Sequence, residues 1–251
     1  MSDASNVEHA AKPKIAEEVL LAGDLTPLIR TLAIGTRFVA RAFTRVRIEG
    51  APDAIPREGP VILASNHVSN ADGVIIGAWL TPRLGRRIHW LGKREMFDWP
   101  LVGYVARNGG IVPVDRSTAD AEAFRLAQRV LQAGEVLMVF PEGTRSPTAE
   151  LQKPKDGLAM LALRTNAWIV PIGVSNTDRV WPKGRTLPKI GGHATMRVGP
   201  PFRLEDELPE GLDRKSRKVA ATDLIMRRIA AQLDPRHRGE YRDGSESGSA
   251  T

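Results

Sequence analysis

The chain has 251 residues, with 36 Lys+Arg against 29 Asp+Glu for a formal net charge of +7, and 42% of it is hydrophobic. That balance excludes a wholly disordered or fibrous chain, and the length is ample for one buried core with an appendage. Cysteine is absent, which removes disulfides, thiolate metal sites and Cys nucleophiles.

The opening MSDASNVEHAAKPK is polar and lacks the basic-then-apolar order of a signal peptide. No run of about 18 uncharged apolar residues occurs, so a conventional membrane span is not expected. Residues 1–13 read as a flexible lead and 236–251 as a disordered polar tail. Neither can bury enough apolar surface to offset its ordering entropy.

Ile15 to Leu21 reads as a short helix and 26–45 as a longer one, with Thr26 and Pro27 suited to its cap and first turn. On the longer helix Leu28, Leu32, Val39 and Phe43 share one face, and Arg30, Arg37, Arg41 and Arg45 share the opposite one. The stretch 26–48 holds five Arg and no acid. Two readings stand: a surface helix packed on its own domain, or an interfacial helix whose apolar face enters a bilayer while Arg meets anionic headgroups. On the second reading, 14–45 is a membrane-associating helical pair.

From there to residue 235 the pattern alternates. β-rich runs fall at Val46–Glu49, Val61–Ala64, Ile88–Leu91, Ile111–Val114, Val136–Phe140, Ile169–Val174 and Thr195–Val198. Helical patterns lie at about 73–80, 100–107, 118–133, 157–165 and 214–233. The fold class expected is α/β, with a mixed, largely parallel sheet flanked by helices. The segment 214–242 carries nine Lys+Arg against three acids, either a second lipid contact or a solvated helix face.

Four constellations could carry chemistry. In SNHVSNAD, His67 and Asp72 are five residues apart, which on a continuous helix would set them about 140° apart. They meet only if His67 lies in a turn and Asp72 near the start of the next helix, where it could serve as N-cap. A His held by a carboxylate has a fixed tautomer, and its other nitrogen can take a proton from a hydroxyl. The plain alternative is a structural His beside a capping Asp.

In FPEGTRS a buried-type strand runs into a polar turn, and ligands of α/β folds collect at such ends. Gly143 permits close backbone approach, and its N–H could donate to an anionic oxygen. Glu142 can accept from a hydroxyl or fix a cation, and Arg145 can clamp phosphate. In isolation this is also a tight turn with a surface ion pair. GGIVPVDR offers a third strand end with Asp115 and Arg116, and Lys93 follows another strand-like run. WIVPIGVS is an apolar strand whose embedded Pro171 suggests a bulge or an edge.

Taken in order, these blocks resemble the glycerolipid acyltransferases of the 1-acyl-sn-glycerol-3-phosphate (lysophosphatidic acid) acyltransferase type. NHVSNAD matches that family's N-H-x-S-x-x-D/E block and FPEGTRS its F-P-E-G-T-R-S block. GGIVPVDR and WIVPIGV match two looser blocks, and the likeness covers about residues 45–200. The second block usually has an aromatic where this chain has Pro113, and the first often has a large residue where this chain has Asn70.

The resemblance implies acyl transfer from a thioester to the sn-2 hydroxyl of lysophosphatidic acid, giving phosphatidic acid. It makes His67 the base and Asp72 its orienting partner. The acceptor phosphate falls near Arg116, with Lys93, Glu142, Thr144 and Arg145 as supporting contacts, and an oxyanion donor is expected near Gly143. Ile169, Val170 and Pro171 would line or brace the acyl region.

No metal and no cofactor is implied beyond the donor, acyl-coenzyme A or acyl carrier protein. The partners implied are the two substrates, an anionic membrane surface on the cytoplasmic side and, where it is the donor, acyl carrier protein. No nucleic acid is expected, since aromatics are 5% of the chain and no recognition module occurs. Other acceptors, such as another lyso-lipid or a glycolipid, remain open, as does a non-catalytic lipid-binding or nucleic-acid-binding role.

Overall fold

A computed structural model describes residues 24–98, 103, 104, 106, 109–114, 119–155, 157–182 and 184–242. Seven strands form one sheet: β1 (Thr44–Gly50), β2 (Val61–Ser65), β3 (Ile88–Lys93), β4 (Ile111–Val114), β5 (Val136–Val139), β6 (Trp168–Ser175) and β7 (Gly192–Val198). Their spatial order is β1-β7-β6-β2-β5-β3-β4. Every neighbouring pair is parallel except β6 with β7. The longer helices are α1 (Pro27–Phe43), α2 (Ala71–Leu84), α3 (Ala119–Gln132), α4 (Gly157–Thr165) and α7 (Arg214–Ala230), with short α5 (Thr177–Val180) and α6 (Leu204–Glu207) between the last two.

The central strands are apolar on both faces because helices cover both. Register puts Ile62 beside Leu137 and Ile169, and these three join the core under α3, α4 and α7. Their neighbours Leu63, Val136, Met138 and Val170 point the other way, into a core closed by α2. A period of two thus sorts one strand's side chains into two cores. All seven strand-like runs form strands, and α4 spans the expected residues. The 100–107 pattern and the Ile15–Leu21 helix lie largely or wholly outside the described residues.

One antiparallel pairing decides which loops reach the polar edge of the sheet. Because β7 runs against β6, the amino ends of β7 and of its parallel partner β1 lie on the same sheet edge as the carboxyl ends of β2, β5 and β6. The loop before β7 and the end of α1 therefore reach the edge where the sequence places its polar motifs.

Pro171 lies inside the sheet and not at its rim. The missing N–H is accommodated because β7 stops short of it: pairing with β7 covers Ile172–Ser175, Gly199 N–H donates to Pro171 O at 2.8 Å, and contact resumes only at the Ile169–Phe202 bridge. Residues 199–201 bulge past the proline, which is the arrangement a strand proline demands.

α1 is capped by Thr26, whose side chain accepts from Ile29 N–H, with Pro27 in its first turn. It packs on α2, with Ile29 buried and Ala33 and Ala40 half-buried. Leu28, Leu32, Ile34, Phe38 and Val39 face outward, so the apolar stripe of Leu28, Leu32 and Val39 is not the packing face.

Residues 236–242, expected as tail, belong to the folded unit: His237 is fully buried and bonded to Ala149 O and Asn176 N–H. Four of the nine cations of the basic C-terminal segment are in ion pairs with carboxylates of the same chain. Arg227, Arg228, Arg236 and Arg242 pair with Asp223, Glu207, Asp178 and Glu150, which favours the structural over the lipid-contact reading.

Candidate active site

The carboxyl ends of β2 and β5 each run straight into a motif, SNHVSNAD after β2 and FPEGTR after β5. Asn66 extends the sheet by one step with its side chain. Its amide donates to Val174 O at 2.9 Å and accepts from Val174 N–H at 2.8 Å, so the turn that follows starts from a rigid base.

His67 occupies that turn and Asp72 the second residue of α2. His67 Nδ1 lies 2.8 Å from Asp72 Oδ2. The same oxygen accepts from Val68 N–H at 2.7 Å and Ser69 N–H at 2.8 Å, while Oδ1 accepts from Thr177 Oγ1 at 2.5 Å. Asp72 is therefore not the N-cap: Asn70 holds that place, and the orphan N–H of Ala71 is met by Ser69 Oγ at 3.0 Å. Asp72 is fully buried and surrounded by donors, as an acceptor-only carboxylate requires. Its contact puts the imidazole proton on Nδ1 and leaves Nε2 with a lone pair, and the ring is partly open to solvent. Such an arrangement can accept a proton from a hydroxyl.

Ser65 and Ser69 are both fully buried. Ser69 Oγ donates to Trp181 O at 2.7 Å, so its proton is spent on the scaffold. No G-x-S-x-G elbow occurs in the sequence.

Glu142 is buried beneath the same turn. Its Oε1 accepts from His67 N–H at 2.7 Å and its Oε2 from Gln152 N–H at 3.1 Å, and Ser146 N–H donates back to His67 O at 2.7 Å. The two motifs are thus tied through the backbone of His67 itself. Burial pushes the Glu142 carboxyl up to about 7, against the two backbone N–H bonds that favour its anion. Phe140 stacks on the His67 ring, with centroids 4.0 Å apart and planes 15° from parallel, and Trp90 tilts against Phe140 behind it.

Gly143 has φ +70°, a conformation that side chains avoid. A Cβ there would sit 2.8 Å from Lys155 Cε, so the exposed Lys155 stem crosses directly over the turn. The Gly143 N–H donates to Phe140 O at 3.0 Å, so it is not the free oxyanion donor the sequence suggested. Within the turn, the N–H groups of Thr144 and Arg145 have no protein acceptor among the described residues. Arg145 Nη1 donates to Asn70 Oδ1, joining the two motifs again, now at the rim.

Other sequence candidates are placed variously. Lys93 ends β3, and Arg116 lies outside the described residues. Ile169 and Val170 are fully buried on opposite faces of β6, so they brace the sheet beneath the site. Sequence reasoning missed Thr177, Phe140 and Lys155. Thr177 had one usable signal, its place in the polar SNT step that ends the apolar β6 run.

At the carboxyl ends of the parallel strands β2 and β5, then, a buried carboxylate is hydrogen-bonded to a partly exposed imidazole. The chain belongs to the acyltransferase family: the family model described as Acyltransferase matches residues 45–175. It is 28% identical over 158 residues to the 1-acyl-sn-glycerol-3-phosphate acyltransferase LPAT1, chloroplastic, of Arabidopsis thaliana, covering 62% of this chain and 42% of that one. It is 32% identical over 162 residues to the lyso-ornithine lipid O-acyltransferase of Pseudomonas aeruginosa, covering 63% and 58%. The matches span about half the length of these two curated relatives. Among solved structures, the 1-acyl-sn-glycerophosphate (LPA) acyltransferase PlsC of Thermotoga maritima superposes with a TM-score of 0.63 at 25% identity, covering 81% of this chain and 78% of that one.

Proposed function

We propose that this chain transfers a fatty acyl group from an acyl thioester, acyl-coenzyme A or acyl carrier protein, to the sn-2 hydroxyl of 1-acyl-sn-glycerol-3-phosphate, forming phosphatidic acid. The observation that carries the reading is the 2.8 Å contact between His67 Nδ1 and the buried Asp72 carboxylate, which leaves Nε2 as the basic atom at the mouth of the site.

In this reaction the acceptor oxygen attacks the thioester carbonyl while Nε2 takes its proton. The tetrahedral oxyanion is stabilised by backbone N–H of Thr144 or Arg145, and its collapse expels a thiolate that recovers the proton from the imidazolium. No acyl-enzyme is needed, in keeping with a chain that lacks Cys and buries Ser69 in scaffold bonds. Asp72 stabilises the imidazolium as it forms, and Glu142 and Phe140 hold the ring in place. Arg116, Lys93 and Arg145 are the cations assigned to the acceptor phosphate, with Thr144 beside them.

The acceptor lives in a membrane, and the outward apolar residues of α1, flanked by exposed Arg30 and Arg41, fit a helix lying in the headgroup plane. Among the described residues no helix is long and apolar enough to cross a membrane. On the basic amphipathic character of α1, the chain is assigned to the cytoplasmic face of the membrane, held there peripherally by residues 14–45 ahead of the acyltransferase domain. A different acceptor keeps the same chemistry, and the likeness to a lyso-ornithine lipid O-acyltransferase makes that the second reading.

Mass spectrometry of products from the purified protein decides between the two. Oleoyl-coenzyme A, then oleoyl-acyl carrier protein, is supplied with lysophosphatidic acid and lyso-ornithine lipid together. Phosphatidic acid as the dominant product is expected; acylated ornithine lipid alone would replace the acceptor assignment, and no acylated lipid from either would remove the proposed reaction.

A further inference from the structure

We infer that the loop between α5 and β7, residues 181–191, is a second membrane contact, and that it seats the catalytic edge of the sheet against an anionic lipid surface. This rests on the reading of α1 as an interfacial helix and extends it to a loop.

The loop holds two of the most exposed large apolar side chains in the structure, Leu187 at 70% and Ile190 at 80%, comparable with Phe38 on α1 at 78%. Scattered exposed apolar residues are ordinary, but these two are held outward by an ordered frame. Lys189 N–H donates to Val180 O at 2.7 Å and closes the loop. Inside it, Trp181 Nε1–H donates to Arg185 O at 2.9 Å and Arg185 N–H to Pro182 O at 3.2 Å.

Position supplies the second argument. The Gly191 N–H donates to Phe43 O, the last residue of α1, at 2.8 Å, and the next pair in register is Thr44 with Gly192. The end of α1 and the end of the loop are therefore hydrogen-bonded neighbours at one corner of the sheet. That corner lies on the edge carrying His67 and Glu142, because β7 is antiparallel to β6.

Charge names the partner. Arg185 and Lys189 are exposed, and neither 181–191 nor 26–48 contains a single acid. An apolar pair ringed by cations, continuous with a basic amphipathic helix, fits the interfacial zone of a bilayer with anionic headgroups. The root of the loop also touches the chemistry. Trp181 O accepts from Ser69 Oγ, and Thr177 at the start of α5 bonds Asp72. Docking the loop would bring the lipid surface to the catalytic turn, so that an acceptor reaches Nε2 without leaving the bilayer.

The absence of native cysteine makes a single-label test clean. Ile190→Cys, Phe38→Cys and Glu58→Cys proteins, each carrying an environment-sensitive fluorophore, are mixed with phosphatidylglycerol/phosphatidylethanolamine vesicles containing a nitroxide-labelled lipid. Glu58 is exposed at the opposite, amino end of β2. Quenching at Ile190 and Phe38 but not at Glu58 is the expected result. Quenching at Phe38 with Ile190 behaving like Glu58 overturns the loop contact and leaves the α1 reading standing. No quenching at Phe38 or Ile190 overturns both.

An Ile190 label already shielded without vesicles, in a protein that sediments as a dimer, would instead assign the patch to a second copy of the chain. In parallel, the double variant Leu187→Asp/Ile190→Asp should keep its rate on a monomeric short-chain acceptor and lose at least about tenfold on acceptor in vesicles. Equal loss on both acceptors would contradict a docking role.

Discussion

The imidazole of His67 lies nearly flat on the ring of Phe140, 4.0 Å away centre to centre. These residues come from different strand ends, and the stack leaves the histidine two edges, one facing Asp72 and one open for a proton. With Nδ1 held by a carboxylate and the face held by an aromatic, the ring has little freedom left. Preorganisation of this kind is what a positioned base needs.

Phe140→Ala should therefore lower kcat by about tenfold with little change in KM, because it loosens the base and not the binding of either substrate. Unfolding stability should fall by about 1–3 kcal/mol for the half-buried ring. A rise in KM with kcat intact would place Phe140 in substrate binding.

Thr177 is the partner of Asp72 that lies farthest along the chain. Thr177→Val keeps the shape and removes the hydroxyl that Oδ1 accepts, leaving a buried carboxylate oxygen unmatched at a cost of about 1–3 kcal/mol. Denaturant unfolding should report that loss and kcat should drop several-fold, with Thr177→Ser restoring both. Failure of the serine to restore either would mean that packing, and not the hydrogen bond, matters there.

Much of the fold is legible in the sequence. Runs such as VILA and VLMVF announce buried strands, and α4 falls where its periodicity puts it. The His67–Asp72 spacing only permits a contact, on condition of a turn between them; the family resemblance is what pairs the two. What could not be read was anything carried by backbone atoms or by distant partners.

Glu142 looked like a ligand-facing acid, yet its carboxylate binds the N–H of His67, 75 residues earlier, and no side-chain pattern encodes that. Gly143 looked like a free N–H donor, but the turn that its positive φ permits uses that N–H internally. His237 sits in a stretch so polar that composition alone assigns it to a tail, and a single buried imidazole overrides it.

Glu142 also makes stability depend on pH. Its folded-state pKa of about 7 stands above the ordinary value of 4.5, so the folded state holds this proton more tightly than the unfolded chain. The resulting stabilisation is fully present below about pH 4.5 and is lost as pH rises through about 7, on the order of 3 kcal/mol in all. Urea unfolding at pH 5 and pH 8 should show the wild type losing more stability over that interval than Glu142→Gln. Identical losses in the two proteins would show that Glu142 titrates normally.

The most direct test of the central claim compares wild type, His67→Ala and Asp72→Asn for phosphatidic acid formed from lysophosphatidic acid and oleoyl thioester, with intact protein mass measured after exposure to donor alone. Product from the wild type, a loss of at least about 10³-fold in both variants, and no acyl mass on any of the proteins are the expected results. Undiminished product from His67→Ala, or an acylated wild-type protein, would contradict direct transfer with His67 as the base.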